Sequence, residues 1–139
     1  MKYILFVSRE MWPPLNSLYA YAKIKGVFPS QVIILYTDED VMRKIEGRIK
    51  KLYEIHGKIL NLKKRKVSYE VSSLRKILLD IIEDGDVIDI TGARKAMILS
   101  LMGIENVKVT YLFLKDMRFS NYPFMMRPLS LQKLMEVSL

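Results

Sequence analysis

Short apolar runs alternate along this chain with longer stretches whose apolar positions recur every three or four residues. Tyr3–Val7 ("YILFV") and Val32–Tyr36 ("VIILY") are continuously apolar, the pattern of strands covered on both faces. Between them Pro13-Pro14 predicts a loop. A helix follows from Leu15 or Asn16 to Gly26, with Leu15, Leu18, Tyr19 and Ala22 as its stripe. After the second strand, Thr37 or Asp38 can cap a helix carrying Val41, Ile45, Ile49 and Leu52 inward, and Asp38-Glu39-Asp40 suit its positive end. That helix fades near His56-Gly57. "NLKKRK" reads as a polar connector, and Val67–Val71 as a third, shorter strand.

Ser72 or Ser73 starts the next predicted helix, with Leu74, Ile77, Leu78 and Ile81 inward. "DVIDI" is a fourth strand broken by Thr91-Gly92, Ala96–Met102 a helix ended by Gly103, and Val107–Leu114 a fifth strand. In the tail, Tyr122–Met126 is expected to return antiparallel to the fifth strand. Pro128 then opens a last short helix with Leu131, Leu134 and Met135 apolar. Strands that alternate with helices imply a mostly parallel sheet with right-handed crossovers. The expectation is one α/β domain over residues 1–139, a Rossmann-like three-layer fold with a C-terminal antiparallel extension.

Composition narrows the chemistry. The chain has no cysteine and one histidine, His56, so disulfides, thiolate metal sites and histidine-based triads are excluded, and no metal or cofactor is expected. "YILFV" is too short for a signal-peptide core or a membrane span, which predicts a cytoplasmic protein without membrane contact. The net charge of +8 is uneven. Residues 1–40 and 67–139 are each balanced, whereas residues 41–66 hold ten cations against two acids. That segment suits a solvated helix face and loop, or a surface for DNA or RNA.

In open parallel sheets, ligands bind beyond the carboxyl ends of the strands. Three segments reach that edge here: Ser8-Arg9-Glu10-Met11-Trp12, Thr37-Asp38, and Thr91-Gly92-Ala93-Arg94-Lys95. The last has the most pointed chemistry. Gly92 permits conformations costly to larger residues, Thr91 offers a hydroxyl, and helix-start amides attract anions. Arg94 can fork onto phosphate oxygens while Lys95 supplies a mobile charge. Two cations at the unfavourable end of a helix dipole make little sense for a purely structural turn. Trp12 suits either stacking on a base or covering the core. No P-loop and no G-x-G-x-x-G follows a strand, which argues against nucleotide triphosphatases and nicotinamide enzymes.

The strand ending in Ser8, the strand ending "YT" and the run "ITGARKAM" together resemble the CRISPR-associated Rossmann-fold (CARF) domain family over most of the chain. Thr91, Gly92 and Lys95 match its Thr-Gly-Gly-Thr-Lys-like signature, and Ala93 and Arg94 depart from the commonest Gly and Thr. The resemblance implies a homodimer that binds cyclic oligoadenylate, a tetra- or hexa-adenylate, over the ends of strands one and four. It implies Ser8, Arg9, Thr91, Gly92, Arg94 and Lys95 as contacts; the strand-end segments add Trp12, Thr37, Asp38 and Ala93 as candidates. Two activities follow from it. One is metal-free ring cleavage with Lys95 and Ser8 as catalytic residues, damping type III CRISPR antiviral signalling. The other is sensing or sequestering the messenger without chemistry. A basic, nucleic-acid-associated structural protein acting through residues 43–66 is the remaining alternative.

Overall fold

A computed structural model describes all 139 residues. The chain forms β1 (Lys2–Val7), α1 (Trp12–Lys25), β2 (Gln31–Tyr36), α2 (Glu39–Ile55), β3 (Asn61–Lys66), α3 (Val71–Ile81), β4 (Val87–Asp89), α4 (Lys95–Leu101), β5 (Lys108–Leu114) and β6 (Gln132–Val137). The six strands lie in the order β3-β2-β1-β4-β5-β6, all parallel except β6, which runs antiparallel to β5. This is the mostly parallel α/β sheet with a C-terminal antiparallel extension that the alternating pattern predicts.

The continuous apolar runs have a direct physical cause. In β1, Tyr3, Leu5 and Val7 pack on one side of the sheet with α1 and α2, while Ile4 and Phe6 pack on the other with α3 and α4. Val32 and Ile34 of β2 join the first layer and Ile33 and Leu35 the second. Each buried side chain of this size contributes roughly 1.5–3 kcal/mol relative to exposure. The chain winds outward from β1 through β2 to β3, then crosses back to β4. The direction of winding therefore reverses between β1 and β4, which makes that junction the topological switch point.

Four expectations need correction. The third strand is Asn61–Lys66, the stretch read as a connector, and Val67–Val71 instead leads into α3. As an edge strand β3 buries almost nothing, so its apolar signal is absent, and its backbone is recruited by β2 in register from Gln31↔Asn61 to Tyr36↔Lys66. The first helix begins at Trp12, because Pro13 and Pro14 occupy its first turn, where missing N–H groups do no harm. Residues 124–126 form a single 3-10 turn between Pro123 and Pro128 rather than a strand. The antiparallel return is made by β6, where a helix was expected, with Leu112↔Leu134 and Tyr111↔Met135 as partners.

Candidate functional site

The carboxyl ends of β1 and β4 meet closely. Ser8 is nearly buried, and its Oγ donates to the Gly92 carbonyl at 3.1 Å. Gly92 lies so close to β1 that a Cβ would fall inside contact distance of the Phe6 carbonyl oxygen and 3.0 Å from Pro14 Cδ. Its φ is not in the left-handed region, so the need for glycine here is steric approach rather than backbone freedom. The Ala93 amide closes the turn on the Ile90 carbonyl at 3.0 Å.

Beneath this turn lies a buried polar cluster centred on Asp89. Its Oδ1 accepts from Ser17 Oγ at 2.6 Å, Thr91 Oγ1 at 2.9 Å and Thr110 Oγ1 at 3.1 Å, and its Oδ2 accepts from the Thr91 amide at 3.2 Å. Thr91 Oγ1 also accepts the Leu112 amide at 3.0 Å, so its hydroxyl is committed on both sides. Burial pushes the Asp89 carboxyl up to about 6, with the hydrogen bonds from Ser17, Thr91 and Thr110 opposing the rise. The Tyr3 hydroxyl is buried without a partner. Its pKa lies well above the usual value, through burial first and the Asp89 charge second. One carboxylate thus ties α1, β5 and the β4 turn together.

The cations stand on the outer side of the same turn. Arg94 is half-exposed, with its guanidinium 5.8 Å from the centroid of the Tyr69 ring. Lys95 and Arg9 are exposed. None of the three forms an ion pair. The Tyr69 hydroxyl meets Thr37 Oγ1 at 2.9 Å, linking the ends of β2, β3 and β4 in a row. Most acids at this rim are otherwise engaged. Asp38 caps α2 through the Val41 amide at 3.0 Å, Glu70 caps α3 through the Ser72 and Ser73 amides, and Asp116 pairs with Arg118. The edge therefore presents three cationic side chains that no acid pairs. The seven-residue α4 is too short to add much dipole of its own.

The predicted residues divide into groups. Ser8, Thr91, Gly92, Arg94 and Lys95 come together at the switch point, and Ala93 packs half-buried against the second core layer. Thr37 reaches this row through Tyr69, while Asp38 serves its helix cap. Trp12 lies apart, in a groove between α1 and α2 beside Arg48. Two participants went unpredicted. Asp89 carried a signal, since an acid between isoleucines in a central strand must find buried partners. Tyr69 had none, because its position follows from the misplaced third strand.

The basic segment also acquires a shape. Within it Lys63 to Lys66 lie on the edge strand β3, whereas Arg48 and Lys51 of α2 face α1. Glu39 pairs with Arg43, Glu46 with Lys50 and Lys64, and Glu54 with Lys51. Four consecutive cations, Lys63 to Lys66, blunt the free backbone of β3 against further strand pairing. No three His, Asp or Glu side chains converge on a metal-sized space. No helix is long and apolar enough to cross a membrane. Compared with known families and with curated proteins, the chain matches no family model and no individual sequence.

Proposed function

We propose that the protein binds a cyclic oligoadenylate at the carboxyl edge of β1 and β4 and so takes part in type III CRISPR antiviral signalling. The observation that carries this reading is the imbalance at the switch point. Arg9, Arg94 and Lys95 form no ion pair, Asp38, Glu70 and Asp116 are engaged at caps or with Arg118, and Glu10 is an exposed acid on the same rim, so cations still outnumber free acids there. A ligand with several phosphodiesters supplies the missing charge. The sequence resemblance supplies its identity, and a homodimer would present two such edges to one symmetric ring.

Ring cleavage is a second reading, favoured by Lys95, an exposed ammonium at the mouth of the turn with no partner of its own. In that reaction a ribose 2′-hydroxyl attacks the adjacent phosphorus in line. The 5′-oxygen leaves and takes a proton from Lys95, the attacking hydroxyl loses its proton to water, and a 2′,3′-cyclic phosphate remains. Ser8 donates its own proton to Gly92, so it meets a ligand only as an acceptor, suited to orienting the 2′-hydroxyl. Binding asks less of the geometry than cleavage does, and it is the primary reading.

The test is calorimetric titration with cyclic tetra- and hexa-adenylate, followed by mass analysis of the same samples in EDTA. Binding that leaves the ring intact establishes a sensor or sink. Linear products that vanish in Lys95→Ala establish cleavage. Absence of binding to either ring overturns both readings.

A further inference from the structure

The groove holding Trp12 belongs to neither the switch point nor the edge strand β3. It is a concavity of about 250 Å³ between α1, α2 and residues 123–125. Leu15, Tyr19 and Leu52 line it together with Trp12, Phe124 and Met125. Tyr19 and Phe124 meet edge to face, with ring centroids 5.7 Å apart. The wall opposite the helices is held in place from below. Buried Asn16 accepts the Phe124 amide at 2.8 Å and donates to the Tyr122 carbonyl at 2.9 Å, and Gln132 donates to the Phe124 carbonyl at 3.3 Å. The groove is therefore formed before any ligand arrives, which removes an ordering cost from binding.

Its charge is one-sided. Arg48 and Lys51 stand at the rim, and no acid lines the groove. Arg48 forms no ion pair; its guanidinium lies 5.4 Å from the centroid of the Trp12 ring. Lys51 reaches only Glu54, at 4.0 Å, with both side chains largely exposed, a pairing worth little in water. Aromatic walls with a cationic lip select a flat apolar body bearing a negative head. The volume falls just under the range of drug-sized sites and suits one or two fused rings better than a long acyl chain.

We propose that the groove between α1 and α2 binds a planar aromatic anion, with Trp12, Tyr19 and Phe124 around the rings and Arg48 on the charged group. This site is independent of the cyclic oligoadenylate reading, and its test does not use that ligand.

The probes are naphthalene-1-sulfonate and naphthalene, which share a planar ring body and differ in the sulfonate. Trp12 is the only tryptophan, so a single indole N–H signal in a ¹⁵N–¹H spectrum marks the groove. The expected result is saturable one-to-one binding of the sulfonate that shifts this signal and the amides of Tyr19 and Phe124. The neutral probe should bind at least about tenfold more weakly. Arg48→Met, at an exposed position that forms no hydrogen bond or ion pair, should weaken the sulfonate about tenfold and leave the neutral probe unchanged. Non-saturable binding, or binding that leaves the indole signal in place, overturns the proposal. So does equal affinity for the two probes with Arg48→Met neutral, which would mark a merely greasy surface.

Discussion

Only Ala93 separates Thr91-Gly92 from Arg94-Lys95 in one turn, and the two pairs differ in almost every physical respect. Thr91 is bonded on both sides, to Asp89 and to the Leu112 amide, and Gly92 is wedged against β1 and Pro14. Arg94 and Lys95 have no acidic partner and reach solvent. The inner pair builds a rigid ledge, and the outer pair stands on it with free charge. A motif that looks like one functional unit in sequence thus contains a scaffold half and a half left free for the proposed ligand. Substitutions should separate them, the inner ones acting on folding and the outer ones on ligand.

The largest effect belongs to the base of the ledge. Asp89→Ala removes the acceptor for three hydroxyls and one amide, and should lower stability by about 3 kcal/mol or more in urea denaturation. The carboxyl also carries a pH signature. It holds its proton more tightly in the folded chain, at about 6, than an unfolded aspartate does at about 4. Folding therefore takes up a proton between those limits. The linked stability is fully present below pH ~4 and is lost as the pH rises through about 6, by roughly 3 kcal/mol in total. Asp86 works in the opposite sense. Burial raises its pKa, but the Lys2 and Glu83 amides and the Lys2 ammonium outweigh it, and the net value lies below normal. Its contribution is lost only at more acid pH, so the windows do not overlap. Urea midpoints from pH 4 to 7 should fall with rising pH in the native chain, and that slope should disappear in Asp89→Asn. A slope retained in the variant would assign it to another group.

Gly92→Ala comes next. The added methyl meets a backbone carbonyl that cannot rotate away, and the fold should lose about 2 kcal/mol through displacement of the β4 turn from β1. Because Gly92 is not at positive φ, a stability equal to the native value would mean that the turn moves freely and is no ledge at all.

How much of this was visible beforehand depends on what each residue buries. β1 and β2 are covered on both faces, so their apolar runs announced them, and with them the parallel sheet and its switch point. β3 announced nothing: of "NLKKRK" only Leu62 packs against the core, and pairing comes from the backbone of β2. β6 misled for a related reason. Leu131, Leu134 and Met135 satisfy helical spacing, but the partner that fixes their geometry is β5, far away in sequence. The same logic governs the site. Arg94 and Lys95 were legible because cations at a helix start violate a local preference. The inward commitment of Thr91 and Ser8 depends on Asp89, Leu112 and the Gly92 carbonyl, and spacing alone carries no trace of it.

On the outer half, Arg94→Ala and Lys95→Ala should leave stability within about 0.5 kcal/mol, since neither side chain is buried or ion-paired. Each should weaken binding of a phosphodiester ring about tenfold in calorimetry and reduce the salt dependence of affinity. A loss of stability matching the loss of affinity would erase the distinction between the halves.

Tyr69 tests the boundary between them, with the smallest expected change. Its ring lies under the Arg94 guanidinium and its hydroxyl meets Thr37, so it joins Arg94 to the frame of β2. An exposed cation–π contact is worth about 0.5–1 kcal/mol. Tyr69→Leu should therefore weaken ligand binding two- to fivefold by releasing Arg94 into more rotamers. Tyr69→Phe keeps the ring and loses only the Thr37 bond, and should stay within twofold of the native affinity. If Phe is as damaging as Leu, the hydroxyl holds the ring in place, and Thr37→Val should reproduce the loss. If both are silent, Arg94 reaches its ligand without guidance, and the free half of the turn ends at Arg94 and Lys95 themselves.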